Sequence, residues 1–212
     1  LLEEIRKRLD ASSYHVASVP FELFQNGDDA VVELEVLCRD ADSLKRARPH
    51  QLRETFLIDV HANDGEAALR VLHWGRGINQ YRIGATDGRD LGFDRDLERM
   101  LVMQGSGKDY ESDDKRRTGK FGLGFKSVFF ACESPRVLSG SRSRFMVLAG
   151  VYPERLPEAD EKRLEGVLGQ CGDTAHRGTV IELPLREGVE HGNCLERFRS
   201  LAGYLVVFAR RI

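Results

Sequence analysis

Two groups of residues have the types and spacing for chemistry on a phosphate. The first is Glu22 and Asn26, in PFELFQNGDDA. On a helix starting near Pro20 these side chains lie one turn apart. At about 100° per residue, Glu22, Asn26, Asp29 and Glu33 fall within about 60° of one another. A glutamate so placed can serve as general base on a water. An asparagine carbonyl is a hard oxygen ligand suited to Mg²⁺, which takes few protein ligands beside substrate phosphates and keeps most of its water. Periodicity alone favours a plainer reading, an amphipathic helix with a solvated polar stripe opposite Leu23, Phe24, Val31 and Leu34. The chemistry of the residue types is what brings in the catalytic reading.

The second group is GKFGLGFKS, running from Gly119 through Lys120, Phe121, Gly122, Leu123, Gly124, Phe125 and Lys126 to Ser127. A Walker phosphate loop needs G-x-x-x-x-G-K-[ST], and here Phe125 separates the last glycine from Lys126. Glycines can hold phosphate without that lysine, by turning consecutive backbone N–H groups toward its oxygens. A helix starting after the loop would add its own N-terminal donors. Lys126 is then a phosphate ligand or a surface residue, and its place in the first turn favours the ligand. Taken alone, a glycine-rich loop is a weak signal, because glycines are common in turns.

The elements that must position these groups follow from patterning. A short amphipathic helix covers residues 1–10, with Leu2, Ile5 and Leu9 on one side. A second runs from about Pro20 to Cys38. Residues 40–53 read as a polar loop with at most a helical turn. TFLIDVHANDGEAALRVLHW reads as a hairpin around Asn63, Asp64 and Gly65. A loop with Gly84, Gly88 and Gly92 leads to a helix at about 94–103, and residues 105–118 carry almost no apolar side chains. The glycine loop opens a helix, KSVFFAC. Strands are expected at about 136–139, 144–151 and 178–185, a charged helix at 155–168 and a last helix at 194–211. With no repeat and no Pro- or Ser-rich linker, a single α/β domain over residues 1–212 is the economical reading.

Composition bounds the rest. The 212 residues are 41% hydrophobic and 31% charged, enough for a full core. A net charge of -2 gives no indication of a nucleic-acid or membrane surface. Cys38, Cys132, Cys171 and Cys194 form neither a C-x-x-C pair nor a disulfide framework. They read as reduced thiols of a cytoplasmic protein, with no zinc site expected. The chain opens LLEEIRKRL without Met, which reads as an excerpt of a longer, multidomain protein.

ELFQNGDDA resembles the first motif of the GHKL ATPases, the superfamily of gyrase B, MutL, histidine kinases and heat-shock-protein-90-like chaperones. That motif carries a Glu, an Asn four residues on, then Asp-Ala. The resemblance implies that Glu22 activates the attacking water, Asn26 holds Mg²⁺, and Asp29 and Ala30 line the pocket. Because histidine kinases generally lack the Glu, it favours a hydrolase. LHWGRGIN resembles the second motif, Asp-x-Gly-x-Gly, keeping Gly75, Gly77 and Ile78 but placing His73 where the family has an adenine-reading Asp. A neutral imidazole can accept one hydrogen bond, in the right tautomer, and a protonated one cannot. If His73 accepts from adenine, affinity should fall below about pH 6; the alternative is a plain strand-end residue.

Gly119, Gly122 and Gly124 match the family's G-x-x-G-x-G phosphate motif. RGTVIELPL resembles its late strand, implying that Thr179 reaches the base side of the pocket; without the resemblance it reads as an edge-strand Thr. The order of the four motifs along the chain is what makes the signal specific. LVMQGSGKDYESDDKRRTGKFGLGFKSVF, with Gly105, Ser106 and Lys108, is similar to the sacsin-like branch, and residues 105–118 would be its ATP lid.

The fold this implies is the Bergerat fold, an α/β two-layer sandwich of a mixed, largely antiparallel sheet with helices on one face. The activity implied is binding of ATP or ADP with Mg²⁺, and hydrolysis that drives a chaperone-like machine. Turnover would be weak in the isolated domain. Its partners would be other domains of the same chain and, for the full-length protein, a second copy. A nucleotide-binding switch or scaffold without turnover, and the ATPase domain of a DNA-transaction protein, are the competing expectations.

Overall fold

The computed structural model of the protein describes residues 1–11, 13–63, 66–102 and 124–212. The proposed lid at 105–118, and with it Gly105, Ser106, Lys108, Gly119, Lys120, Phe121, Gly122 and Leu123, lies outside the described residues.

Helix α1 spans Leu2–Ala11 and buries Ile5 and Leu9, one turn apart. Helix α2 spans Val19–Leu37 with Pro20 in its first turn, where a missing N–H costs nothing. Its buried side includes Leu23, Val31, Leu34 and Leu37. The segment expected as a loop instead forms helix α3, Ala41–Ala47. Asp40 caps it, its carboxylate accepting from the Ser43 amide at 2.7 Å and the Ser43 hydroxyl at 2.9 Å.

The expected hairpin is β1 (Phe56–Asn63) and β2 (Glu66–His73), with Asn63 opposite Glu66 and Phe56 opposite His73. A small separate ribbon, β3 (Arg82–Ile83) and β4 (Thr86–Asp87), precedes helix α4 (Asp96–Leu101). The stretch expected as an α-helix after the glycines is a 3₁₀ helix over Phe125–Phe130. Strands β5 (Arg136–Ser139), β6 (Ser143–Leu148) and β7 (Tyr152–Arg155) follow, then helix α5 (Glu158–Gln170), strand β8 (Thr179–Pro184) and helix α6 (His191–Phe208).

One six-stranded sheet takes the order β1-β2-β8-β5-β6-β7. Each neighbouring pair in it is antiparallel, so the mixed sheet expected from the resemblance is corrected to an antiparallel one. Thr179 opens β8, which lies between β2 and β5; it is therefore an interior-strand residue and not an edge one.

Strand alternation sets what covers each face. On one, Leu69, Val71, Val137, Ile181 and Leu183 pack with Ile5 and Leu9 of α1, Leu23 of α2, Leu195 of α6 and Phe129 of the 3₁₀ helix. On the other, Leu72, Leu138 and Val180 pack with Leu164 and Leu168 of α5. Helices therefore lie on both faces, a second correction. The face under α5 also holds the buried Glu182, whose carboxylate takes Arg163 at 2.5 Å and Arg136 at 3.1 Å. A lone α5 suffices because that face is only partly apolar. Among the described residues, no helix is long and apolar enough to cross a membrane.

Candidate functional site

The site builds up around the N-terminal half of α2. Glu22 is half-buried in the first turn of the helix, and the Tyr14 hydroxyl hydrogen-bonds to its carboxylate. Burial raises the Glu22 pKa above the ordinary carboxylate value, and the Tyr14 hydrogen bond partly offsets that rise. Asn26, one turn on, is exposed.

Gly124 closes over both. A Cβ placed on it would lie 2.8 Å from Glu22 Oε2 and 3.9 Å from Asn26 Oδ1. The end of the glycine loop and the acid–amide pair of α2, far apart in sequence, therefore meet in space. Hydroxyl-assisted turning follows, with the Ser127 hydroxyl donating to the Gly124 carbonyl at 2.8 Å. Phe125 is half-buried against the core.

Lys126 departs from its expected role. It is buried, and its Nζ donates to the carbonyls of Met100 and Leu101 at 3.1 and 2.8 Å. Those carbonyls end α4, where a helix has unpaired acceptors and a cation is favoured. Lys126 thus fastens the 3₁₀ helix to α4. Burial pushes its pKa down to about 8.

The Trp74–Ile78 loop packs directly on α2. A Cβ on Gly75 would sit 2.4 Å from the Ala30 carbonyl carbon and 2.6 Å from the Val31 nitrogen, so only glycine permits the approach. The Ala30 carbonyl accepts from the Arg76 amide at 2.7 Å. The Arg76 guanidinium is buried between Glu33, at 2.7 Å, and Asp96, at 2.7 Å, and stacks 4.1 Å over the Phe93 ring. Gly77 donates its amide to Gln80 Oε1 at 2.9 Å.

Three polar side chains end the sheet face beneath α2. His73, Thr179 and Ser139 share one register row across β2, β8 and β5. The Ser139 and Thr179 hydroxyls are 2.6 Å apart, and Ser139 Oγ also accepts from the Ile78 amide at 2.9 Å. His73 is buried, and its Nδ1 accepts from the Gly75 amide at 3.3 Å. Burial, with the nearby Arg48 charge, pushes its pKa down to about 4. It therefore stays neutral well below pH 6 in the folded chain, so protonation of His73 near pH 6 is not expected.

Not every predicted residue ends at the site. Asp29 is ion-paired with Arg210 beyond α6. Neighbouring Asp28, buried, accepts from the backbone amides of Arg210, Arg211 and Ile212 at 2.8, 2.8 and 3.1 Å. Several contributors escaped sequence reasoning: Tyr14, Ser139, Arg48 and Arg76. None has a spacing signal, since each acts from a different element.

Asn26 is suited by donor type to Mg²⁺, one neutral oxygen beside the Glu22 carboxylate, which leaves the remaining positions to phosphate and water. Among the described residues, no cluster of three or more His, Cys, Asp or Glu side chains could hold a metal by itself. No family model and no curated protein matches the chain.

Proposed function

We propose that the protein is a Mg²⁺-dependent nucleoside triphosphatase domain, ATP being the nucleotide that its GHKL resemblance implies, working within a larger chaperone-like protein. The observation that carries this reading is the approach of Gly124 to Glu22, 2.8 Å from a Cβ position to Oε2. It brings the end of a glycine loop, with the means to hold phosphate, to a carboxylate with the means to orient a water.

In this reading Glu22 accepts the proton of the attacking water. Its raised pKa makes it a better proton acceptor than a solvated carboxylate, and the Tyr14 hydroxyl fixes its orientation. Asn26 would hold Mg²⁺, which when bound offsets charge on the phosphate oxygens. Gly119, Gly122 and Gly124 would direct backbone amides at the same oxygens. The Gly75–Gly77 loop and the His73 row would hold the base.

The test is calorimetric titration of ATP, ADP and GTP with and without Mg²⁺, together with turnover of Glu22→Ala in the full-length protein. The expected result is binding that survives the substitution and hydrolysis that does not. Turnover persisting in Glu22→Ala removes the base assignment, and failure of every nucleotide to bind removes the reading itself.

A further inference from the structure

We infer that His73 presents a hydrogen-bond donor to the site, and that the site therefore selects a purine with a carbonyl at position 6 over one with an amino group. The inference rests on the nucleotide reading above and specifies the base it takes.

The argument is a count of donors and acceptors. A neutral imidazole has one of each. The Gly75 amide occupies the acceptor, since it donates to Nδ1 at 3.3 Å. The proton is then on Nε2, and among the described residues nothing hydrogen-bonds to it. His73 stands beside α2, its Cβ 3.5 Å from where a Gly27 side chain would begin. In the nucleotide reading, a ligand extending from Gly124 along α2 would reach this row.

The carbonyl and amide oxygens of the adjoining loop, Gly75 and Gln80, are taken. Arg48 donates twice to the Gly75 carbonyl, at 3.0 and 2.7 Å, and to Gln80 Oε1 at 2.8 Å. Gln80 Oε1 also takes the Gly77 amide. Two carboxylates of α2 are engaged elsewhere, Glu33 by Arg76 and Asp29 by Arg210. An exocyclic amino group brought to His73 would face a donor and find no free acceptor in the loop. A carbonyl would accept from Nε2. Arg48 adds to this preference independently: it is buried, and its hydrogen bonds go to the neutral oxygens of Gly75, Ala47 and Gln80. The Asp173 carboxylate offsets part of its charge without a hydrogen bond, and the remainder favours an electron-rich edge nearby.

ITP differs from ATP only at position 6 and its adjoining ring nitrogen, so the pair isolates this contact. The experiment is competition binding of ITP, GTP and ATP to the wild-type chain and to His73→Asp, which replaces the donor with an acceptor. The expected result is ITP binding about tenfold tighter than ATP, as one mispaired buried polar contact predicts. His73→Asp should reverse the order. ATP equal to or tighter than ITP in the wild type overturns the inference while leaving the nucleotide reading intact. No binding of any of the three overturns both. The wild-type comparison stands even if His73→Asp fails to fold.

Discussion

Acid should destabilise this protein through His73 at a pH where most surface histidines would only become charged. The ring is 6% exposed, and burial first, Arg48 second, lowers its pKa from 6.5 to about 4. The unfolded chain binds a proton at His73 below about pH 6.5, and the folded chain refuses it until about pH 4. The stability tied to this residue is therefore complete above the unfolded value and is lost as pH falls through that window. Linkage puts the loss at about 2 kcal/mol by about pH 5 and about 3 kcal/mol by about pH 4. The comparison is urea unfolding of the wild type and His73→Asn from neutral pH downward. Asparagine does not titrate, and its amide oxygen can still accept from Gly75. The wild type should lose about 2 kcal/mol more than His73→Asn between about pH 7 and about pH 5. Parallel profiles for the two proteins would refute the burial argument, because other carboxylates and histidines titrate equally in both.

The two glycines of the site should respond differently to alanine. Gly75→Ala meets the backbone of Ala30 and Val31, which cannot give way, and should cost about 3 kcal/mol or more in urea unfolding. Gly124→Ala meets only the end of the Glu22 side chain, so it should fold normally and lose about tenfold or more in turnover. Lys126→Met should lower stability by about 1–3 kcal/mol by leaving two α4 carbonyls unpaired, with nucleotide affinity unchanged in calorimetry. Weaker affinity with unchanged stability would instead make Lys126 a phosphate ligand.

What was legible in the sequence is what depends on local pattern. Helix α2 announced itself by Pro20 and an apolar spacing that continues to Leu37, and the β1–β2 hairpin by two apolar runs about a tight turn. Helix α3 does not stand out in the sequence although its N-cap is local, because the polar composition of residues 40–47 outweighs Asp40 and Ser43. The second sheet face was missed for another reason. Leu164 and Leu168 show that α5 has an apolar side, but periodicity does not say which face of a sheet that side covers. Lys126 is a tertiary override. Its position after glycines suggests phosphate, whereas its partners are carbonyls of α4, 26 and 25 residues earlier, a pairing that no local pattern marks.

The polar stripe of α2 shows why motif residues alone under-describe such a site. Four side chains share the stripe, yet three end at different neighbours, Glu22 at Tyr14, Asp29 at Arg210 and Glu33 at Arg76, while Asn26 is exposed. Arg76 continues from Glu33 to Asp96 of α4, whose last carbonyls hold Lys126, two residues after Gly124. Gly124 therefore lies against Glu22 of α2, and Lys126 beside it is linked to the same helix through α4 and Arg76. On the same helix, Asp28 holds three amides of the chain beyond α6. Any ligand that displaces α2 relative to the sheet must strain Arg76–Glu33 and the Asp28 amide bonds together, because both anchor the same helix through short contacts. Hydrogen exchange at the amides of Arg210 and Arg211 would register that displacement at a distance from the ligand.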